Sequence, residues 1–135
     1  MKVNIEHWDF QGLELPEHLY KNCIDLSSKS RSYIGIGWYY SDALEFIEIL
    51  NNSSYAVLGG DTYYGGEGDE FFYAVEYSWY IESEDLTVDE GLLKRNKQEA
   101  IERLTQFEEE SKRKGKKLVY QICSGSLEWL KKMGH

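Results

Sequence analysis

The pattern of hydrophobic and polar positions along the chain predicts several helices separated by β-strands. The clearest helical segment runs from Asp42 to about Leu50, where apolar side chains recur every three or four residues and the acidic ones face the other way. Ser41 stands directly before this segment, and a hydroxyl there can accept the hydrogen bonds of a helix N-terminus. A shorter helix is predicted from Pro16, which suits a first helical turn, to about Cys23.

Two β-strands are predicted in the middle of the chain, at residues 55–64 and 71–82. Both segments are rich in β-formers, and the glycine-rich run GGEGDE between them favours the turn of a hairpin. If residues 71–82 form one continuous strand, successive side chains alternate between two faces. The predicted core face holds Phe71, Tyr73, Val75, Tyr77, Trp79 and Ile81. The predicted exposed face, which mixes rings with acids and suits a binding surface, holds Phe72, Ala74, Glu76, Ser78, Tyr80 and Glu82.

The C-terminal third predicts a long helix followed by a strand. Residues 87–90 read TVDE, a hydroxyl followed three positions later by glutamate, which is the pattern of a capping box. A helix that begins there should end near Gly115, and the run LVYQIC up to Cys123 should then form a strand. The short segment at 127–130 can form a last helix. With a possible first strand in residues 1–10 and a loop at 27–32, the prediction is one α+β domain over residues 1–135. It has an antiparallel or mixed sheet packed against one long and several short helices.

The charge is distributed very unevenly along this predicted domain. The chain carries 24 acidic and 15 basic side chains, for a net charge of −9. Residues 32–93 contain thirteen acids, no lysine or arginine, and fourteen of the twenty aromatic residues, whereas residues 94–135 contain eleven basic and six acidic side chains. The basic excess suits the end of the long helix, but the acidic segment has no such explanation. We therefore expect no binding to nucleic acid or to anionic membranes, and a basic partner instead.

No sequence motif for catalysis stands out. The run GIG at 35–37 lacks the third glycine of a dinucleotide fingerprint, since position 40 is Tyr40, and neither a phosphate-binding loop nor GxSxG occurs. Neither Cys23 nor Cys123 sits in a CxxC pair or beside a histidine, and we expect both to be reduced and mostly buried. The acidic loop from Asp61 to Glu70 does not fit the EF-hand spacing. The sequence therefore predicts no enzyme, no cofactor and no metal.

Two further features bear on structure and location. Gly59 and Gly60 interrupt a strand pattern, which indicates a β-bulge or a close approach between backbones. No apolar run reaches the roughly 20 residues of a membrane span, and the first ten residues do not resemble a signal peptide. We expect a cytoplasmic protein.

Several of these segments together resemble the immunity protein 40 family. The resemblance rests on YIGIGW at 33–38, the helix from Asp42 to Leu50, the run LGGDTY at 58–63, the pair Trp79-Tyr80, and the long charged helix with its closing strand. It covers roughly residues 15–123. The family accompanies bacterial polymorphic toxins, including contact-dependent growth inhibition systems.

The resemblance implies a protein without enzymatic activity that binds and neutralises a cognate toxin domain, which could be a nuclease with a basic surface. The acids and rings of the central segment are the expected contacts: Asp61, Tyr63, Tyr64, Glu67, Asp69, Glu70, Glu76, Trp79, Tyr80, Glu82 and Glu84. An alternative is a small-ligand or carbohydrate-binding module in which Trp79, Tyr80 and Tyr64 serve as stacking platforms. The sequence leaves the toxin and the oligomeric state open.

Overall fold

A computed structural model describes residues 13–26, 35–65 and 71–135. The predicted first strand in residues 1–10, the loop at 27–32 and most of the predicted hairpin turn lie outside these described residues. Among the described residues, no helix combines the length and the apolar composition that crossing a membrane requires.

Four α-helices lie in the described part of the chain, at positions close to those predicted. They are α1 (Glu17–Asn22), α2 (Tyr40–Asn52), α3 (Leu92–Arg113) and α4 (Leu127–Lys132). The end of α3 is as predicted, because Gly115 adopts a positive φ of 68° and the Lys116 amide donates back to the Ser111 carbonyl at 2.8 Å. These hydrogen bonds form a Schellman motif, which satisfies the last carbonyls of the helix.

The predicted start of α3 at Thr87 is wrong. The Thr87 hydroxyl donates to the Glu84 carbonyl at 3.0 Å, in a 3₁₀ turn over Ser83–Leu86, and so does not cap a helix. The helix begins at Leu92, where the Asp89 carboxylate accepts from the Gly91 amide at 2.9 Å.

The sheet is built around one long central strand, β3. In chain order the strands are β1 (Ile24–Asp25), β2 (Ile36–Gly37), β3 (Tyr55–Gly65), β4 (Phe71–Tyr73), β5 (Trp79–Tyr80) and β6 (Lys117–Ser126). The long strand β6 pairs antiparallel with β3 along one edge, while β4 and β5 pair with successive parts of its other edge. β1 and β2 form a separate antiparallel pair. The observed fold is the predicted α+β arrangement with antiparallel sheets.

The segment predicted as one strand, residues 71–82, is interrupted by a 3₁₀ turn at Val75–Tyr77. The Ala74 amide donates to the Thr62 carbonyl and the Thr62 hydroxyl donates to the Tyr77 carbonyl, so the chain leaves the ladder and returns to it. The turn breaks the alternation of faces. Tyr77, Trp79 and Ile81 are buried as predicted, but Tyr73 and Val75 are exposed and Ala74 is buried.

The edge of β3 that faces β4 and β5 is completed by α3. Beyond β5, the Ile81 amide donates to the Leu58 carbonyl at 2.9 Å. At Val57, the β3 residue beside Leu58, the Asn96 side chain accepts from the backbone amide and donates to the backbone carbonyl, both at 2.8 Å. One side-chain amide of α3 thus continues the pattern of a neighbouring strand.

The main core lies between the sheet and the helices α2 and α3. Trp38 packs on Phe46 of α2 with ring centroids 4.6 Å apart, and its indole N–H donates to the Leu19 carbonyl at 2.8 Å. Tyr77 packs on Phe107 of α3 at 5.4 Å. We call this side of the sheet the helix face. On the opposite side, the open face, Tyr63 and Val119 form a smaller cluster with Leu26, which follows β1.

Candidate functional site

The predicted contact residues occupy different positions in the fold. Tyr63 and Trp79 are only 5% and 8% exposed and pack in the core, so their main role in the chain itself is to hold the sheet together. Tyr64 is partly buried beside Tyr77, with ring centroids 6.1 Å apart. Three further predicted contacts, Glu67, Asp69 and Glu70, lie outside the described residues.

The remaining predicted contacts are accessible and lie on or near the segment 71–84. Tyr80 is 69% exposed, and Glu76, Glu82 and Glu84 are exposed as well. Three apolar or aromatic side chains of this segment, which were not among the predicted contacts, are also exposed: Phe72 at 60%, Tyr73 at 52% and Val75 at 69%. We call the resulting surface the acidic–aromatic edge; it consists of Phe72, Tyr73, Val75, Glu76, Tyr80, Glu82 and Glu84.

The missed side chains follow from the interruption at Val75–Tyr77. An uninterrupted strand would direct Tyr73 and Val75 into the core. The 3₁₀ turn instead places Val75 outside, and Tyr73 covers the ring of Tyr63 at a centroid distance of 5.5 Å. Phe72 was assigned to the exposed face, and its exposure in the structure agrees with that assignment. A large aromatic ring on the predicted exposed face was the sequence signal that could have added Phe72 to the candidate site.

Asp61 lies beside this edge, on the open face of β3. Its carboxylate accepts a long hydrogen bond, 3.3 Å, from the Tyr73 hydroxyl. Its cross-strand partner on β6 is Gln121, and Cys123 follows two residues later on the same face. Asp61 therefore has one ring beside it and a polar amide opposite it.

The two glycines before Asp61 let the strands approach closely, as predicted. Gly59 has a φ of +154°, and a β-carbon there would overlap the Trp79 carbonyl oxygen. At Gly60 a β-carbon would overlap the Gln121 carbonyl. The register of β3 and β6 shifts between Val57 and Gly59, which confirms the predicted bulge.

The basic residues Lys116 and Lys117, which follow α3, lie against aromatic side chains at the end of β3 that holds Gly65. Lys117 pairs with Gly65 in the β3–β6 ladder. Its ammonium group lies 4.0 Å from the centroid of the Tyr39 ring, and that of Lys116 lies 5.8 Å from the Tyr64 ring. The two oppositely charged parts of the sequence thus meet at this end. Glu82 and Glu84 of the acidic–aromatic edge lie toward the other end, because they follow Tyr80, which pairs with Gly59, and Ile81, which donates to Leu58.

The thiols do not have the properties of a nucleophilic site. Cys23 and Cys123 are free, and Cys123 is exposed, contrary to the prediction that both are mostly buried. Burial around its sulfur and the nearby Asp61 carboxylate raise the pKa of the Cys123 thiol. A raised pKa lowers the fraction of reactive thiolate, the opposite of what a catalytic cysteine needs.

A group of possible metal ligands joins α1 to α2. The side chains of His18, Asp42 and Glu45 each place a ligand atom within 4.8 Å of the others. Hydrogen bonds already account for this arrangement, since His18 Nε2 lies 2.8 Å from a Glu45 oxygen and Asn22 donates to Asp42 at 3.1 Å. The group lies at the protein surface, on α1 and α2 rather than on the segment 71–84.

The stacking platforms of the alternative prediction do not form a pocket together. Trp79 is buried on the helix face, whereas Tyr80 points to the open face. A depression of about 450 Å³ lies along α3 and is lined by polar side chains, namely Arg95, Gln98, Glu99, Glu102, Arg103 and Gln106. Its lining contains no ring on which a sugar could stack.

Comparison with known proteins adds one match. The family model described as immunity protein 40 matches residues 27–124. Neither a curated protein nor a solved structure gives a match. The matched range holds the central strand β3, the helices α2 and α3, and the acidic–aromatic edge. The chain therefore belongs to the immunity protein 40 family.

Proposed function

We propose that this protein binds and neutralises a cognate bacterial toxin domain, and that the acidic–aromatic edge is its main contact surface. The toxin belongs to a polymorphic or contact-dependent growth inhibition system, and neutralisation takes place in the cytoplasm. The protein acts by binding alone and catalyses no reaction. Family membership supports the general role, and the properties of the surface support the more specific parts of the proposal.

The observation that carries the proposal is the coincidence of exposed apolar groups with acids that form no ion pair within the described part of the chain. Phe72, Val75 and Tyr80 are each at least 60% exposed, although a folded chain normally buries such side chains. Glu76, Glu82 and Glu84 lie among them in a stretch of 62 residues without lysine or arginine. Large rings and apolar groups supply binding energy at protein interfaces, and a shared sign of charge selects the partner.

A basic partner surface fits this edge. A nuclease toxin needs cationic groups to hold phosphates, and a protein with an acidic edge can occupy those groups directly. Complementary charge also raises the association rate by about 10- to 1,000-fold at low salt. Fast capture is an advantage when the toxin would otherwise reach its target within the same cell.

The proposed contacts differ in role. Glu76, Tyr80, Glu82 and Glu84 are proposed to touch the toxin directly, together with Asp61 and the previously unassigned Phe72, Tyr73 and Val75. Glu67, Asp69 and Glu70 keep their proposed contact role. The buried Tyr63 and Trp79 support the surface from below, and Tyr64 does so in part.

The experiment is copurification of the protein with the product of the gene immediately upstream, followed by titration calorimetry. We expect a complex with nanomolar or tighter affinity and a buried surface of about 800 Å² per partner. If the upstream product is not a toxin, or if the two proteins do not associate at micromolar concentration, the proposed function is wrong.

Charge reversal tests the proposed surface. The triple variant Glu76→Lys, Glu82→Lys and Glu84→Lys should weaken binding at least about tenfold and reduce its dependence on salt. The matched control is Glu102→Lys, Glu109→Lys and Glu128→Lys, which changes the net charge equally at exposed positions on other elements. If the two variants weaken binding equally, the edge acts only through the net charge of the protein and is not the contact surface.

A further inference from the structure

Asp61 is a carboxylate with very little local compensation. Its hydrogen bond with the Tyr73 hydroxyl is 3.3 Å long and comes from a neutral donor. None of the ion pairs among the described residues involves Asp61. A carboxylate has acceptor sites for about four hydrogen bonds, so the described residues leave most of the acceptor capacity of Asp61 for a partner.

The residue opposite Asp61 has an unmet hydrogen-bonding requirement of its own. Gln121 pairs with Asp61 in the β3–β6 ladder, so the two side chains leave the same face of the sheet. Gln121 is only 9% exposed, and its side-chain carbonyl oxygen is buried without a hydrogen-bond partner among the described residues. A buried acceptor without a donor costs free energy, which a donor from a binding partner would recover.

Two exposed rings stand on either side of Asp61 along the sheet edge. Tyr73 pairs with Tyr63, two residues after Asp61, and Tyr80 pairs with Gly59, two residues before it. Trp79 is buried on the helix face, so its neighbour Tyr80 points to the open face, where it is 69% exposed. Because Gly59 has no side chain, it adds no atoms to the space beside the Tyr80 ring.

We infer that the open face receives an arginine side chain of the toxin, held by Asp61 and Gln121 between the rings of Tyr73 and Tyr80. This inference rests on the proposed function and names the group that the partner contributes. A guanidinium offers five N–H donors in a planar fork, which matches a carboxylate and one amide acceptor at the same time. Its flat faces stack on tyrosine rings, whereas a lysine ammonium is a point charge without this geometry.

The test is a set of single substitutions measured by calorimetry against the same toxin. Asp61→Asn keeps the shape and the acceptor for Tyr73 but removes the charge, and we expect affinity to fall about 30-fold or more. Tyr73→Phe removes the hydroxyl that bonds Asp61 but keeps the ring, and it should change affinity less than about threefold. Glu109→Gln loses the same charge on the exposed side of α3 and serves as the matched control.

A second set of variants is made in the toxin, where each interfacial arginine is changed to lysine in turn. One such change should cost at least about tenfold with the wild-type protein and much less with Asp61→Asn, because the pair is already broken. If every arginine tolerates lysine, or if none is coupled to Asp61, the inference is overturned.

Cys123 provides a readout that does not depend on substitutions in the site. It lies on the open face two residues after Gln121, and the other thiol, Cys23, follows α1. Bound toxin should slow alkylation of Cys123 by iodoacetamide at least about fivefold, with Cys23 as the internal reference in the same mass spectrum. Equal labelling rates at Cys123 with and without toxin would overturn the inference.

These outcomes separate the two proposals. If the wild-type protein binds no toxin, the proposed function itself fails. If it binds, and charge reversal of the acidic–aromatic edge weakens binding while Asp61→Asn has no effect, only the arginine site is refuted.

Discussion

The side-chain amide of Asn96 forms two hydrogen bonds of 2.8 Å with the backbone of Val57, one with its N–H and one with its carbonyl. Asn96 is 3% exposed, and it lies 39 positions away in the sequence from the strand residue that it satisfies. The pair closes the edge of β3 at the point where β5 ends. It also fixes α3 against the sheet from which the acidic–aromatic edge projects.

Removal of the Asn96 amide should be strongly destabilising. Asn96→Leu leaves a buried N–H and a buried carbonyl of Val57 without partners, and we expect a loss of about 3 kcal/mol in the free energy of unfolding. Urea denaturation followed by circular dichroism measures the change. Gln98→Leu, on the exposed side of the same helix, should have an effect below about 0.5 kcal/mol.

Gly59 should tolerate no side chain. A β-carbon there would overlap the Trp79 carbonyl, and the φ of +154° is rarely adopted by other residues. We expect Gly59→Ala to lower the free energy of unfolding by about 2 kcal/mol or more and to displace β5. Gly65→Ala, on the same strand, would meet neighbours only at 3.5 Å or beyond and should be nearly neutral. Similar losses in the two variants would contradict the steric explanation.

Asp89 should give the protein a stabilising contribution that disappears in acid. Its hydrogen bond with Arg95 lowers the pKa of the Asp89 carboxyl, as do the amides of Gly91 and Leu92. A pKa that is lower in the folded state stabilises the protein above the ordinary aspartate value of about 3.9 and ceases to do so as pH falls through the lowered value. Asp89→Asn should therefore melt at a lower temperature than wild type at pH 7, and the difference should shrink toward pH 2. A difference that does not change with pH would contradict this origin.

Ionisation of Glu108 should destabilise the folded protein, the opposite of the effect of Asp89. It is partly buried on α3, and burial raises the pKa of its carboxyl despite the nearby Lys112 and Lys117. A raised folded-state pKa means that ionisation at neutral pH opposes folding, and that this penalty vanishes as pH falls below the ordinary glutamate value of about 4.3. Glu108→Gln should therefore raise the melting temperature at pH 7 but not at pH 3. The adjacent, exposed Glu109→Gln is the control and should show no such gain.

Local sequence patterns predicted those elements whose determinants lie within a few residues. The helical spacing of apolar residues located α2, and Gly115 located the end of α3, because each signal acts on its own turn of helix. The paired glycines predicted the bulge in β3 for the same reason.

Elements that depend on distant partners could not be predicted in this way. The 3₁₀ turn at Val75–Tyr77 depends on hydrogen bonds with Thr62, which is more than ten residues away, and the alternation of residues 71–82 contains no sign of it. Thr87 has the sequence of a helix cap, but its hydroxyl bonds the turn before it. The same limit applies to the candidate site. The exposure of Tyr73 and the burial of Tyr63 depend on which strand pairs with which.

The pairing of β3 with β6 determines when the chain can complete its central sheet. β6 begins at Lys117, 52 positions after β3 ends at Gly65, and pairs with it along almost its whole length, so the central strand lacks its longest neighbour until β6 has been synthesised. Contacts between such distant segments form slowly, since a long loop must close first. Until β6 docks, β3 presents an unpaired edge that can associate with other chains. The proposed protection should therefore follow synthesis of β6 rather than synthesis of the segment that carries the acidic–aromatic edge, and a newly made toxin domain that folds faster would have a brief advantage.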